Sequence, residues 1–308
     1  MIYISSSAAS ARRINEAVKE LIGLGIKNIE FSGNVLLHKG WAKEILSLKK
    51  THGLSFLMHN YFPAPIEEVF VLNLASGRAD IREKTFALIS RAAKLMDILE
   101  VPLYSIHSGQ HIDVLAQAND KFRLDESSVY DKTEALKVFY ENLEYLMSEV
   151  FKKEQKFAVE NFFPFRFDKA KDYSLMSKPQ EILDFITFSR KYENLGFLLD
   201  LGHLDIAARA FGFDAENFTR ELVSGFRDKI FEIHLSGNNG LYDSHKVNLP
   251  ESWQIKWLEE NYRHLKDIPV VFEWKSGINS RQVLIEGLDM AKVKFKESCH
   301  KPKAVSSL

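Results

Sequence analysis

Cysteine is nearly missing from this chain. Cys299, close to the C-terminus, is the single one in 308 residues. No disulfide can form within the chain, and thiolate metal sites are excluded, so any metal must be held by nitrogen and oxygen. Charge of one sign is also missing. Forty-one basic residues face 42 acidic ones, a formal net charge of −1. That balance argues against a basic, sequence-independent coat for nucleic acid, although a local basic rim remains compatible with it. No apolar run is long enough to span a bilayer, and the opening MIYISSSAASARR lacks the layout of a signal peptide. The expectation is a cytoplasmic protein without a membrane partner. Proline and glycine are sparse, at 8 and 15 residues, and nowhere gather into a linker. One domain is expected over residues 1–297, followed by a flexible tail at 298–308.

What is present is a large apolar fraction, 45%, with 27% charged residues, as in an ordinary globular protein. The apolar residues fall into eight short β-type runs. These are Ile2–Ser5, Asn28–Phe31, Ser55–Met58, Leu103–Ile106, Phe157–Val159, Gly196–Leu199, Ile230–Ile233 and Pro269–Phe272. Most are nearly continuous, as befits strands buried on both faces of a parallel sheet. Amphipathic segments follow them, among them Ala11–Leu21, Ile81–Leu99 and Lys132–Phe151. Eight strand–helix units predict a single (β/α)8 barrel of the α/β class. Two polar loops, 109–130 and 161–172, leave the C-terminal ends of strands 4 and 5, the face on which such barrels build active sites.

Nine ionisable residues stand just past these strands. They are His59, His107, Glu160, Asp200, His203, His234, Asp243, His245 and Glu273, in the contexts FLMH, YSIH, AVEN, FLLDLGH, FEIH, YDSH and VVFE. One strand-end histidine is as readily explained by packing as by chemistry. Nine converging ionisable groups are different, because like charges repel and desolvation is costly. Bound cations remove that objection, so the pattern predicts a polynuclear metal site.

The most specific stretches are His59-Asn60-Tyr61 with Val71-Leu72-Asn73-Leu74-Ala75-Ser76, His107-Ser108-Gly109, Glu160-Asn161, Asp200-Leu201-Gly202-His203, His234-Leu235, Asp243-Ser244-His245 and Glu273. In these, from about Ser55 to Glu273, the chain resembles the endonuclease IV group of the xylose-isomerase-like TIM barrels. The resemblance implies three divalent ions, usually Zn²⁺, with Mn²⁺ the alternative. It implies that His59, His107 and Glu160 hold the first ion. Glu160 bridges to the second, held with Asp200, His234 and Glu273. His203, Asp243 and His245 hold the third. Three divalent ions bring six positive charges and the four carboxylates return four, leaving room for a hydroxide and a phosphodiester anion. A metal ion lowers the pKa of its bound water to about 7, so no side-chain nucleophile is required.

The activity implied is phosphoester hydrolysis, with abasic-site DNA as a substrate. The loops depart from the group. SGNVLLHKGW after strand 2 offers no intercalating arginine, and Glu160-Asn161 is followed by FFPFRF. The alternative is a single-metal sugar or sugar-phosphate isomerase or epimerase. It would use the quartet Glu160, Asp200, His234 and Glu273, with Glu160 and Glu273 as the acid/base pair, and the Glu30-Phe31-Ser32 strand end leans this way. A metal-bound barrel with only a binding role is the third reading. Tyr61, His111, Arg166 and Lys275 are the candidate substrate contacts. Phe162, Phe163, Phe165 and Phe167 form a stacking surface or pack on their own barrel.

Overall fold

The computed structural model describes residues 1–33, 35–65, 70–117, 121–164 and 172–300. Eight parallel strands close into a barrel: β1 (Ile2–Ser5), β2 (Asn28–Phe31), β3 (Ser55–His59), β4 (Leu103–His107), β7 (Lys156–Glu160), β8 (Leu195–Asp200), β9 (Ile230–Leu235) and β10 (Val270–Phe272). Between β4 and β7 an antiparallel ribbon stands apart from the barrel, made of β5 (Ile112–Gln117) and β6 (Lys121–Val129). It occupies the first of the two long loops expected from sequence.

The strands form where the apolar runs lie because both faces are buried. The outer faces pack under the helices in one large core, with Ile4, Ile29, Phe56, Ile106, Val159, Phe197 and Phe272 among its members. The inner faces of seven strands meet in a separate apolar layer of Tyr3, Leu57, Leu103, Ala158, Leu198, Phe231 and Val271. This layer plugs the barrel. The next inward positions, two residues further along, carry His59, Glu160, Asp200 and Glu273, so strand periodicity alone lifts the polar groups onto the plug.

Register then sets their neighbours. His107 lies opposite Glu160, and Asp200 opposite His234. Between β8 and β9 the pairing jumps from Ile230 to Glu232, which makes Phe231 an extra residue. Such bulges re-aim side chains beside functional sites. Here Phe231 covers Gly196, where an added Cβ would collide with its ring.

The helices are α1 (Ile14–Gly23), α2 (Trp41–His52), α3 (Ala79–Leu99), α4 (Lys132–Tyr145), α5 (Pro179–Ser189), α6 (Leu201–Phe211), α7 (Ala215–Phe226), α8 (Trp253–Asn261) and α9 (Arg281–His300). Most begin on chemistry visible in the sequence, such as Pro179 opening α5 and Asp131 accepting from the Glu134 amide at the start of α4. α9 runs to His300, and the rest of the expected tail lies outside the described residues. No described helix is long and apolar enough to cross a membrane.

Candidate metal centre

All nine strand-end residues converge at the barrel mouth. His59 Nε2 and His107 Nε2 lie 3.4 and 3.5 Å from Glu160 Oε2. On the other side of that carboxylate, His203 Nδ1 is 2.9 Å from Oε1. His203 Nε2 reaches Asp243 Oδ2 at 3.6 Å, and Asp243 Oδ2 reaches His245 Nε2 at 2.5 Å. Glu273 Oε2 closes the circle at 3.6 Å from both His245 Nδ1 and His234 Nδ1. Among the described residues three groups of three offer ligand atoms mutually within 4.8 Å: Glu30, His59 and His234; His59, His107 and Glu160; and Glu160, Asp200 and His234. Glu160 belongs to the last two.

Four of the histidines have one ring nitrogen tied to a neighbouring oxygen. His59 Nδ1 lies 3.0 Å from Ser105 Oγ. His203 Nδ1 is 3.0 Å from the Asn161 carbonyl, and His245 Nδ1 is 3.1 Å from that of Glu273. His234 Nε2 is 2.8 Å from Glu30 Oε2. A nitrogen facing a carbonyl or carboxylate must carry the proton. The opposite nitrogen faces the carboxylates of the mouth, where a bound cation would take the place of its proton. Metal-ligating histidines have this arrangement.

Asp200 has two tasks. Its Oδ1 accepts from the His203 amide at 2.7 Å and caps α6, which starts directly at Leu201 with no intervening loop. Its Oδ2 has no hydrogen-bond partner. Asn161 fixes the same turn from both sides, donating to the Asp200 carbonyl at 3.0 Å and accepting from its amide at 2.8 Å.

Electrostatics match the crowding. Burial pushes the Glu160 carboxyl up to about 8, against the pull of His203, and burial also pushes Glu30 up to about 8. Burial and the neighbouring His234 hold His59 well below the usual imidazole range, and burial lowers His107 to about 3. For His203 burial is outweighed by Asp200 and Glu160, and for His234 by Glu30, so both are held well above that range. Burial opposes ionisation of Asp243 and Glu273 too, but His245 beside each holds them well below the carboxylate range.

A family model described as the xylose isomerase-like TIM barrel matches residues 18–292. The chain belongs to this family. Among solved structures, this xylose isomerase-like barrel is similar to a D-tagatose 3-epimerase-like protein, at 18% identity and a TM-score of 0.71, covering 97% of this chain and 98% of that one. It is similar to endonuclease IV from Thermus thermophilus, at 15% identity and a TM-score of 0.63, covering 96% and 99%. It is also similar to a 3-keto-D-glucoside 4-epimerase from E. coli, at 12% identity and a TM-score of 0.68, covering 95% and 98%. Identities this low show the fold alone. No curated protein sequence matches the chain.

The site of this barrel fits divalent cations by the chemistry of its unsatisfied atoms. Both oxygens of Glu160, Oδ2 of Asp200 and Nδ1 of His234 are buried without a hydrogen-bond partner. An unpaired buried polar atom costs about 1–3 kcal/mol, more when charged. Among these, Asp200 Oδ2, His234 Nδ1 and one Glu160 oxygen are atoms that the second ion would use, and the other Glu160 oxygen is one that the first would use.

Three features were not assigned to the site from sequence. Glu30 and Glu232 are fully buried beside His234, with Glu232 Oε1 3.6 Å from its Nε2. Glu232 sits two residues before His234, so period-2 alternation along β9 is the signal that places both inside. The third is Asn60, with φ of 46°. Its Nδ2 lies 2.5 Å from His59 Nε2 and 2.9 Å from His107 Nε2, while its Oδ1 accepts from the His107 amide at 2.9 Å. The Asn60 amide group therefore donates to the two imidazoles of the first ion's position.

The candidate substrate contacts separate. Tyr61 is half-buried and its hydroxyl accepts from the Leu72 amide at 2.8 Å. His111 is buried, with Nδ1 2.9 Å from the Tyr130 carbonyl and Nε2 3.0 Å from that of Asp172. That geometry ties the base of the ribbon to the loop after β7. Lys275 is half-buried beside the centre, its amide donating to the His245 carbonyl at 3.1 Å. Arg166, with Phe165, Phe167, Lys169 and Lys171, lies outside the described residues. Phe162 and Phe163 pack against the ligands, with ring centroids 4.6 Å from His107 and 4.7 Å from His203.

Proposed function

We propose that this protein is a metal-dependent phosphoester hydrolase with three divalent ions, most simply Zn²⁺, acting on a phosphodiester such as abasic-site DNA or on a small phosphorylated substrate. One observation carries the reading. His59, His107 and His203 lie within 3.5 Å of Glu160, His245 lies 3.6 Å from Glu273, and Asp243 joins His203 to His245 at 3.6 and 2.5 Å. A single-ion isomerase needs only Glu160, Asp200, His234 and Glu273, and leaves these five without a task.

When bound, the ions would supply Lewis-acid activation of water and of the phosphoryl oxygens. The side chains do the rest. Glu160 is set to bridge, since its two oxygens face different histidines. Glu273, facing His234 and His245, links the second and third positions. Phe162 and Phe163 form an apolar wall over His107 and His203, which excludes water from that side and strengthens the local electrostatics. Lys275, a charged neighbour of His245, would attract a phosphate's negative charge.

A second reading is favoured by Asn60. Its amide already satisfies His59 and His107. If it stays there, the quartet remains, and Glu160 and Glu273 would exchange a proton beside a sugar carbonyl. The deciding experiment incubates the metal-loaded protein with an abasic-site duplex, and in parallel with ketoses and sugar phosphates in deuterated water. Chelator-sensitive nicking without deuterium uptake supports the hydrolase. Deuterium uptake without nicking replaces it with the isomerase.

A further inference from the structure

We propose that Glu30 is a positioning residue for His234, fixing the ring through Nε2 so that Nδ1 is presented to Glu160, Asp200 and Glu273. The proposal builds on the metal-centre reading above and extends it to a residue outside the nine ligand candidates.

Glu30 comes from β2, on the far side of the barrel interior from the ligand-bearing β7 and β8. It is fully buried, so its carboxylate has no solvent to turn to. Oε2 meets His234 Nε2 at 2.8 Å, and Oε1 has no hydrogen-bond partner. His234 Nδ1 has none either, and it lies 3.6 Å from Glu273 Oε2 within the group formed by Glu160 and Asp200. One ring nitrogen is thus engaged from below and the other is exposed to the cation position above. The engaged nitrogen is held by Glu30, so Nδ1 is the ring atom left for a cation at the mouth. A carboxylate behind a ligating histidine fixes its tautomer and rotation and makes it a stronger ligand.

Glu232 stands as the reserve acceptor. It is fully buried, with both oxygens unpartnered and Oε1 3.6 Å from the same Nε2. That distance is too long for a hydrogen bond, so Glu30 is the acceptor in place. Strand spacing explains the pair: Glu232 and His234 point inward two residues apart on β9, and β2 delivers Glu30 at the same depth.

The test reads the tautomer directly. Protein labelled with ¹⁵N-histidine is compared as wild type, Glu30→Gln, Glu30→Ala and Glu30→Ala/Glu232→Ala, with His234→Gln assigning the signal. Zn²⁺ affinity is measured alongside by chelator competition, and the second position is identified as the one lost in Asp200→Asn. The proposal expects zinc-bound wild-type His234 to keep its proton on Nε2 and to meet the ion through Nδ1. Glu30→Gln, whose amide oxygen still accepts, keeps that tautomer and most of the affinity. The double variant gives mixed tautomers, and its second position weakens by about 10- to 100-fold while the third is unchanged. A double variant with a single Nε2–H tautomer and wild-type affinity overturns the proposal. Wild-type protein that takes up no zinc contradicts the metal-centre reading instead.

Discussion

Asp200 makes the account testable with one residue, because its two oxygens have separable tasks. Oδ1 caps α6 through the His203 amide, and Oδ2 is the unpartnered atom beside Glu160 and His234. Asn caps a helix about as well as Asp, whereas Ala costs roughly 1 kcal/mol at that position. Asp200→Asn therefore keeps the cap and removes a carboxylate ligand; Asp200→Ala removes both. In metal-free protein, Asp200→Asn keeps the cap but loses the charge that helps hold His203 protonated, so it should melt somewhat below wild type. Asp200→Ala should melt below Asp200→Asn by about 2 °C, the shift expected for about 1 kcal/mol in a chain of this size. With Zn²⁺ at one hundred times its dissociation constant, one site stabilises wild type by about 2.7 kcal/mol. Both variants should lose that increment at the second position. The assay is thermal denaturation of chelator-stripped protein, with and without zinc. Retention of the full zinc-induced rise by Asp200→Asn would refute the ligand assignment. Identical metal-free melting of the two variants would refute the cap.

Glu160→Gln should empty two metal positions at once and Asp243→Asn mainly the third; elemental analysis of both checks the division, and equal loss in the two would contradict it. Metal-free stability should fall as pH rises from about 6.5 to 8, because Glu30 and Glu160 titrate near 8 and His203 and His234 are held high, so the folded chain binds protons that the unfolded chain has released; between about 4.5 and 6.5 the protons refused by His59 and His107 offset this. Asp243 and Glu273, held low, give the opposite limb below about pH 4.5. Zinc uptake needs deprotonated Glu160, so its affinity should climb with pH towards 8 and release protons, which titration calorimetry in two buffers reads. Asn60→Gly keeps the positive φ and removes the amide from His59 and His107. It should tighten the first ion on the order of tenfold, since two hydrogen bonds of about 1 kcal/mol each no longer compete; unchanged affinity would show that the amide is no obstacle.

The barrel was legible because its strands are buried on both faces. Continuous apolar runs such as FLLD and IFEIH allow little else, and all eight expected runs became barrel strands within one or two residues. Two elements were not legible. α6 is buried nearly all round, from Leu201 to Ala208 and at Ala210, so it has no polar face and hence no helical periodicity in the sequence. The ribbon β5–β6 carries IDVLAQ and KFRLDESSV, polar enough to read as a loop, and its strands pair with each other and not with the barrel sheet. At the site, the nine strand-end residues converge as their spacing implied. Asn60 and the buried carboxylates were harder. Glu232 looks like an ordinary charged residue in FEI, and the Glu30 strand end gives no sign of its partner, until the barrel closes and turns both towards His234.

The central claim is that the mouth holds a cluster of cations and not a single one. Elemental analysis of protein purified without chelator, scaled to chain concentration, tests it most directly. Close to three divalent ions per chain is the value this geometry predicts. One ion per chain, unchanged after incubation with excess zinc or manganese, would contradict it.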